Sequence, residues 1–580
     1  MKKILYMSLA LIMLSACDEE FFEPKYDNER TLEQTVNDPA RVEGMLLRAY
    51  SLMPSSPDAY GGFLDCATQN AVTNNLTNNL NKTLAERWER ISNPVDIGGW
   101  TISYRAIQAV HNFLELGIDS NFTFWKGKSE SDSTINATIR QRLEGESYFL
   151  RGYWYFNLLK RFAGVDASGE MMGVPLILEV QDANDYELLE RNTFDEVVNQ
   201  IVADLNQAAT LLPEAYTPGD DFALGYNFNY GRATSVAANA LLSRVYLYAG
   251  SALYNEGRVD EDMMAKAADA AAAALEVLGT SLPNIYDDGG EAFYTDSEND
   301  EVILRKLGGI NNAIERNEFP PTYLGGGRTN PTQNLVDAFP LANGYPTDDP
   351  LSGYDVDQPY AGRNARFNAT ILYDGQAFKG SVIETFVDGK DYPGGSDAAT
   401  VNNSTRTGYY LRKWVAAAAD LNTNSNARHY FPLIRKGELM LNYAEAALEA
   451  YGAHNDPNGL GLTAYQALAE IRRRAGISND EYLAVAANDE FTLRQIIRNE
   501  RRVELCFEGH YFYDIRRWGG DLEDLNETIN RIVITKDQLG DKSYSVEPLV
   551  TPQFEAHMRF GPMPFNESIK TPTISQNQGW

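Results

Sequence analysis

Cysteine, histidine and positive charge are all scarce in this chain. Its 580 residues include three cysteines, Cys17, Cys66 and Cys506, and five histidines, and 50 basic residues stand against 81 acidic ones. So few thiols exclude a disulfide-built scaffold. The histidines fall at no metal-ligand spacing, and HExxH, paired CxxC, GxSxG and a P-loop are all missing, so zinc hydrolysis, hydrolase-elbow chemistry and nucleotide hydrolysis have no motif to rest on. Asp456-Pro457-Asn458-Gly459 is too short for an EF-hand loop and reads as a turn. No metal and no cofactor is expected. A formal charge of −31 repels nucleic acid and anionic headgroups, so neither is expected as a ligand. Past the first 16 residues no apolar run approaches the ~20 residues of a membrane-spanning helix.

What is present begins at the N-terminus. Lys2 and Lys3 precede an apolar stretch, Ile4 to Leu14, then Ser15-Ala16-Cys17 and the acids Asp18, Glu19 and Glu20. This is the pattern of a secretory leader. A cysteine directly after small residues makes it a lipobox, so cleavage after Ala16 would leave a lipidated Cys17 as the anchor. Residues 17–28 then read as an acidic tether. Cys66 and Cys506 could pair in an oxidising compartment or remain buried thiols.

Apolar residues recur at helical spacing over much of the chain. Thr31 to Met53 is such a segment, interrupted at Pro39. Trp100 to Leu116, Ile135 to Phe162, Arg232 to Tyr254 and Met263 to Leu278 follow. Thr193 and Glu196 form a capping box opening another helix. Helices return at Leu433 to Tyr451 and Thr463 to Ala475. A second box, Thr492 to Gln495, opens a stretch to Trp518 that Gly509 splits or kinks. Between Gly279 and about Arg428, Gly, Pro, Asn and Asp are dense, with short apolar pieces at Val302 to Leu304 and Tyr409 to Val415. The organisation expected is a leader (1–16), a tether (17–28), an N-terminal helical part (29–278), a loop-rich insert carrying the ligand face (279–430) and a C-terminal helical part with an irregular tail (431–580). Paired helices on both sides of an irregular insert predict a mainly α fold of stacked helix hairpins with a few short strands.

Several segments carry a family resemblance. Arg498 to His510 reads RNERRVELCFEGH and continues as YFYDIRRWG to Gly519. Gly145 to Leu159 reads GESYFLRGYWYFNLL, with Gly173-Val174-Pro175-Leu176-Ile177 after it. Pro331 to Pro346, Phe431 to Ala447 and Gly561 to Gln578 extend the match collinearly along nearly all of the mature chain. Together they resemble the SusD/RagB family of nutrient-binding outer-membrane lipoproteins. Cys506 stands where the family usually has alanine. The resemblance implies four tetratricopeptide-like hairpins, a position at the outer face of the outer membrane, and capture of an oligo- or polysaccharide for a SusC-like TonB-dependent barrel. Peptide capture is the alternative within the family. A surface glycosidase would need two carboxylates about 5–10 Å apart, which no motif nominates.

The long motifs read as architecture: Arg501, Arg502, Glu504 and Glu508 sit at salt-bridge spacings, and Trp154, Phe156, Tyr511 and Trp518 pack helix on helix. Ligand contact is expected from loops, where aromatic rings stack on sugar faces and amides pair with hydroxyls. Asp65, Asn70, Asn74, Asn75, Arg87 and Trp88 form one candidate set. Tyr286, Phe293, Tyr294, Phe319 and Tyr323 form another, with Trp88 and Tyr294 expected in a shared aromatic platform.

Overall fold

The computed structural model describes residues 38–59, 61–116, 132–181, 189–219, 223–225, 229–398 and 403–580. The leader, Cys17 and the tether lie outside them, as does the 31–37 stretch expected to be helical.

Ten helices carry the scaffold: α1 (Pro39–Ser51), α2 (Gly99–Leu116), α3 (Asp132–Phe162), α4 (Phe194–Leu211), α5 (Ser235–Ala249), α6 (Glu261–Leu278), α7 (Lys436–Tyr451), α8 (Ala464–Arg474), α9 (Glu490–Glu504) and α10 (Tyr511–Arg517). Local chemistry sets their ends. Pro39 does not break a helix but starts one: it occupies the first turn, where a missing N–H costs nothing, and the Asp38 side chain accepts from the Ala40 amide. The Thr193 box forms, with Thr193 Oγ1 accepting from the Glu196 amide at 3.2 Å and the Glu196 carboxylate from the Thr193 amide at 2.9 Å. The Thr492 box does not. Asp489 caps α9 instead, accepting from the Thr492 amide at 3.0 Å, and the helix starts three residues earlier. A carboxylate at the cap outcompetes a hydroxyl placed inside the first turn. Phe507 and Gly509 take positive φ, and this turn separates α9 from α10.

The helices stack in chain order, α1 on α2, α2 on α3, and so on to α6, which then packs on α7 across the whole insert; α7 packs on α8 and α9. The fold is therefore mainly α and built as a solenoid of hairpins. The inner face of α6 is Ala267, Ala268, Ala271 and Ala274, all fully buried, and side chains this small let α5 and α7 approach closely.

Strands join distant segments. β1 (Ala71–Thr73) pairs antiparallel with β3 (Thr329–Pro331), bringing the Asn-rich loop against the insert. β2 (Val302–Asn311) pairs with β4 (Ala427–Arg435), so Val302 lies opposite Arg435 and the two ends of the intervening chain meet. β5 (Ile529–Lys536) and β6 (Lys542–Val550) form a hairpin in the C-terminal part.

Buried ion pairs tie the insert to the helices. Arg435 reaches Glu301 at 2.7 Å and Glu504 at 3.0 Å; Arg474 reaches the same two carboxylates at 2.7 Å; Arg366 of the insert reaches Glu500 at 2.6 Å and Glu504 at 3.2 Å. Arg501 and Glu504 of α9 thus do not pair along their own helix, nor does Glu508 of the turn after it pair back onto that helix. They reach across to other elements, because their side of α9 is buried rather than solvated. Cys66 and Cys506 are both unpaired and buried.

Candidate functional site

Most of the loop residues expected at a ligand face are consumed by the fold. Asp65 and Asn70 are buried and bonded to each other at 2.9 Å. Asn74 is buried too, its amide donating to the carbonyls of Gly326 and Gly327 at 2.9 Å and of Ser404 at 3.1 Å, so it clamps the β1–β3 junction. Trp88 is 2% exposed, wedged edge-on between Phe512 and Trp580, with its indole N–H on Asn93 at 3.0 Å. Phe293 and Tyr294 lie in a different cluster around Trp414. The Trp88–Tyr294 platform is therefore not formed: both rings fill core gaps because aromatic area is stabilising when removed from water. Phe319 is buried against Tyr323 and Phe378, and Tyr323, half-buried, donates to the Phe378 carbonyl. Tyr286 donates to Glu504 at 2.6 Å. Asn75, half-buried, caps a turn by accepting from Thr77, and Arg87 is exposed.

The site with the shape of a binding pocket lies elsewhere. A partly enclosed cavity of about 170 Å³ opens between the helical scaffold and β4. Tyr153, Trp154, Asn157, Lys160 and Arg161 form one wall, and their spacing puts them on one face of α3. Arg244 and Tyr248 enter from α5, Phe431 to Leu433 and Arg435 from β4, Glu438 from α7, and Glu508 to His510 from the turn before α10. The segment from Leu52 to Ala59, with Ile97 and Ile102, closes the remaining side. Gly98 has φ +66°, and a Cβ at Gly99 would run into the Arg161 guanidinium, so this double glycine is needed for the approach of α2 to the cavity wall.

Two arginine–glutamate pairs of the wall are satisfied internally. Arg244 grips Glu438 through Nε and Nη2, both at 2.5 Å, and Arg435 holds Glu508 in the same forked way. Burial alone would push the Glu508 carboxyl up, but Arg435 and Lys413 hold it below the usual carboxylate range. His510 is kept neutral by burial and by the nearby Arg244. Trp154 is 1% exposed, and its Nε1–H has no protein acceptor. Phe293 and Trp414 back the wall as a second layer, Trp414 lying 5.8 Å from Phe431.

Such a wall offers ring faces, an amide and ion pairs whose outer edges can meet hydroxyls. Both carboxylates are gripped by arginine, and Glu508, held below the usual carboxylate range, is not the raised-pKa acid a glycosidase needs. The volume equals about six waters at ~30 Å³ each, enough for one sugar-sized ring. The cavity was hidden in the sequence because the aromatic helix that lines it reads as packing. The one usable signal was the pairing of a Pro/Ser-rich loop, Pro54 to Pro57, with Gly98-Gly99. Among the described residues no group of His, Cys, Asp and Glu is arranged to hold a metal, and no helix is long and apolar enough to cross a membrane.

A helical solenoid with a strand-tied, loop-rich insert and a cavity facing it defines a class of binding scaffold. The chain matches the family model described as "SusD family" over residues 300–580 and the one described as "Starch-binding associating with outer membrane" over residues 20–247. It belongs to the SusD/RagB family. A SusD-like protein of Bacteroides ovatus is 25% identical over 485 residues, covering 77% of this chain and 76% of that protein. Among solved structures, a SusD-like protein from Bacteroides fragilis superposes with a TM-score of 0.72 at 22% identity, over 95% of this chain and all of the other. A laminarin-binding SusD-like protein superposes with a TM-score of 0.60 at 22% identity, over 94% of this chain and all of that one.

Proposed function

We propose that this protein is a cell-surface, glycan-binding lipoprotein that captures an oligo- or polysaccharide and passes it to a SusC-like TonB-dependent barrel, with Cys17 as its lipid anchor. The observation that carries the binding half is the cavity between α3 and β4: aromatic faces, the Asn157 amide and two internally neutralised ion pairs suit a neutral ring rich in hydroxyls. Membership of a family with a laminarin-binding structural relative favours the same ligand class. A volume near one ring suits the end or a side branch of a glycan, with the rest running over the insert. Asn75 and Arg87, accessible members of the sequence-derived set, are proposed as contacts outside the cavity.

Calorimetry with the soluble chain beginning after Cys17 tests this. A panel of neutral oligosaccharides, laminarin fragments included, should contain a ligand whose affinity drops at least tenfold on Ser56→Trp, which fills the cavity mouth from its half-buried rim. Strong binding to peptide pools without glycan binding would replace the glycan reading by peptide capture. Release of shortened sugars over hours would mark a glycosidase. For the delivery half, loss of co-purification with the barrel would overturn the proposed partnership.

A further inference from the structure

A second groove, of about 390 Å³, lies between α9 and the short helix Leu522–Leu525. It is separate from the cavity on α3 and stands independently of the reading above. Three arginines of α9 and α10 are matched to acids: Arg494 to Glu449, Arg501 to Glu445 and Asp514, Arg517 to Glu445. Arg498 and Arg502, one helical turn apart on the groove side, have no carboxylate within ion-pair distance among the described residues.

Both guanidinium groups lie on aromatic rings, Arg498 5.1 Å from the Trp518 centroid and Arg502 4.9 Å from that of Tyr511. Stacking holds each fork in place without using its N–H groups. Arg502 spends only Nε, donating to Asn70 at 2.7 Å; its Nη2 has no acceptor, and neither does Arg498 Nε. Two pre-positioned, donor-rich cations without an ion-pair partner among the described residues suit a planar carboxylate, which accepts from a guanidinium fork bidentately. The opposite side carries exposed Glu523, Asp524 and Glu527. These acids disfavour a doubly charged anion and offer acceptors to hydroxyl groups.

We propose that this groove binds a carboxylated sugar, a uronic acid residue, with its carboxylate on Arg498 and Arg502 and its hydroxyls toward Glu523 and Glu527. Calorimetric titration of the soluble chain with sodium glucuronate should saturate, while glucose and sodium acetate each bind at least tenfold more weakly. Arg498→Gln should abolish the glucuronate signal. Arg498→Lys, which keeps the charge over Trp518 but loses the fork, should weaken it about tenfold and serves if the glutamine variant does not fold. Ser56→Trp at the other cavity should leave it unchanged. Acetate binding as tightly as glucuronate, preference for a short peptide's C-terminal carboxylate, or glucuronate binding indifferent to both Arg498 variants would each overturn the assignment.

Discussion

Arg435 and Glu508 are joined by two parallel hydrogen bonds, Nε at 2.7 Å and Nη2 at 2.9 Å. The third nitrogen of the same guanidinium reaches Glu301 and Glu504. One buried side chain at the end of β4 therefore links the insert, the turn before α10 and α9, and it also stands in the cavity wall. Holding the cavity wall and holding the insert are the same task at this position.

Removing one member of such a network leaves the others charged and unmatched in the interior. Glu504→Gln strips a partner from Arg435, Arg474 and Arg366 together and should lower the unfolding free energy by about 3–5 kcal/mol, read by urea denaturation. Arg531→Gln, which breaks a half-exposed pair with Glu547, should cost less than about 1 kcal/mol in the same assay. Equal losses at the two sites would contradict the picture of a load concentrated at Glu504.

Acid should destabilise the protein in two stages. Burial, helped by the charge of Arg151, lowers His111 to about 4, and burial also holds His510 far below the ordinary histidine range. Burial would raise Glu445, but Arg517 and Arg501 outweigh it and hold the carboxyl at about 2. In every case the folded value lies below the unfolded one, so the unfolded chain takes up protons first as pH falls. The contribution of these three groups is complete above about pH 6.5, declines toward pH 4 through the histidines, and falls again between about pH 4.5 and 2 through Glu445; Asp96 and Glu318, raised by burial to about 6 and about 8, act with the opposite sign. Melting temperatures from pH 8 to 3 check this, and His111→Gln should flatten the upper stage.

The two thiols should be inert in the native state. Burial pushes Cys506 up to about 12 and Cys66 well above its ordinary value, so neither forms a thiolate near neutrality. A disulfide-exchange reagent should label neither in buffer and both in denaturant. Prompt native labelling of either would mean that the interior opens there.

Cys17→Ala should leave ligand affinity unchanged while abolishing retention at the cell surface and impairing uptake. Fractionation and ligand-uptake assays on the same strains measure both effects. Uptake that survives without the anchor would show that barrel contacts alone keep the protein in place.

Much of the scaffold was legible because helices are local. Periodicity within 15–30 residues located α2, α3 and α6 to within a few residues, and the Thr193 box gave the start of α4. The misplaced cap at Thr492 was also a local matter, a competition between side chains three residues apart, Asp489 and Thr492, that pattern alone does not rank. Pairings such as β1 with β3 join residues more than 250 positions apart and leave no mark on either segment. The site was harder for a related reason. Trp88, Phe293 and Tyr294 have the right chemistry for sugar stacking, but residue type says nothing about which way a loop faces. Trp154, set aside as packing, does pack, and also lines the cavity.

The β2–β4 ladder sets Val302 beside Arg435, so the chain leaves and re-enters the scaffold at a single doorway. What lies between can lengthen, shorten or be exchanged with little further loop-closure cost, since the ends are already held together. Evolution, or a protein engineer, could thus recut the outer loops of the insert as a cassette, provided that Arg366 and β3 keep their partners in the scaffold beneath.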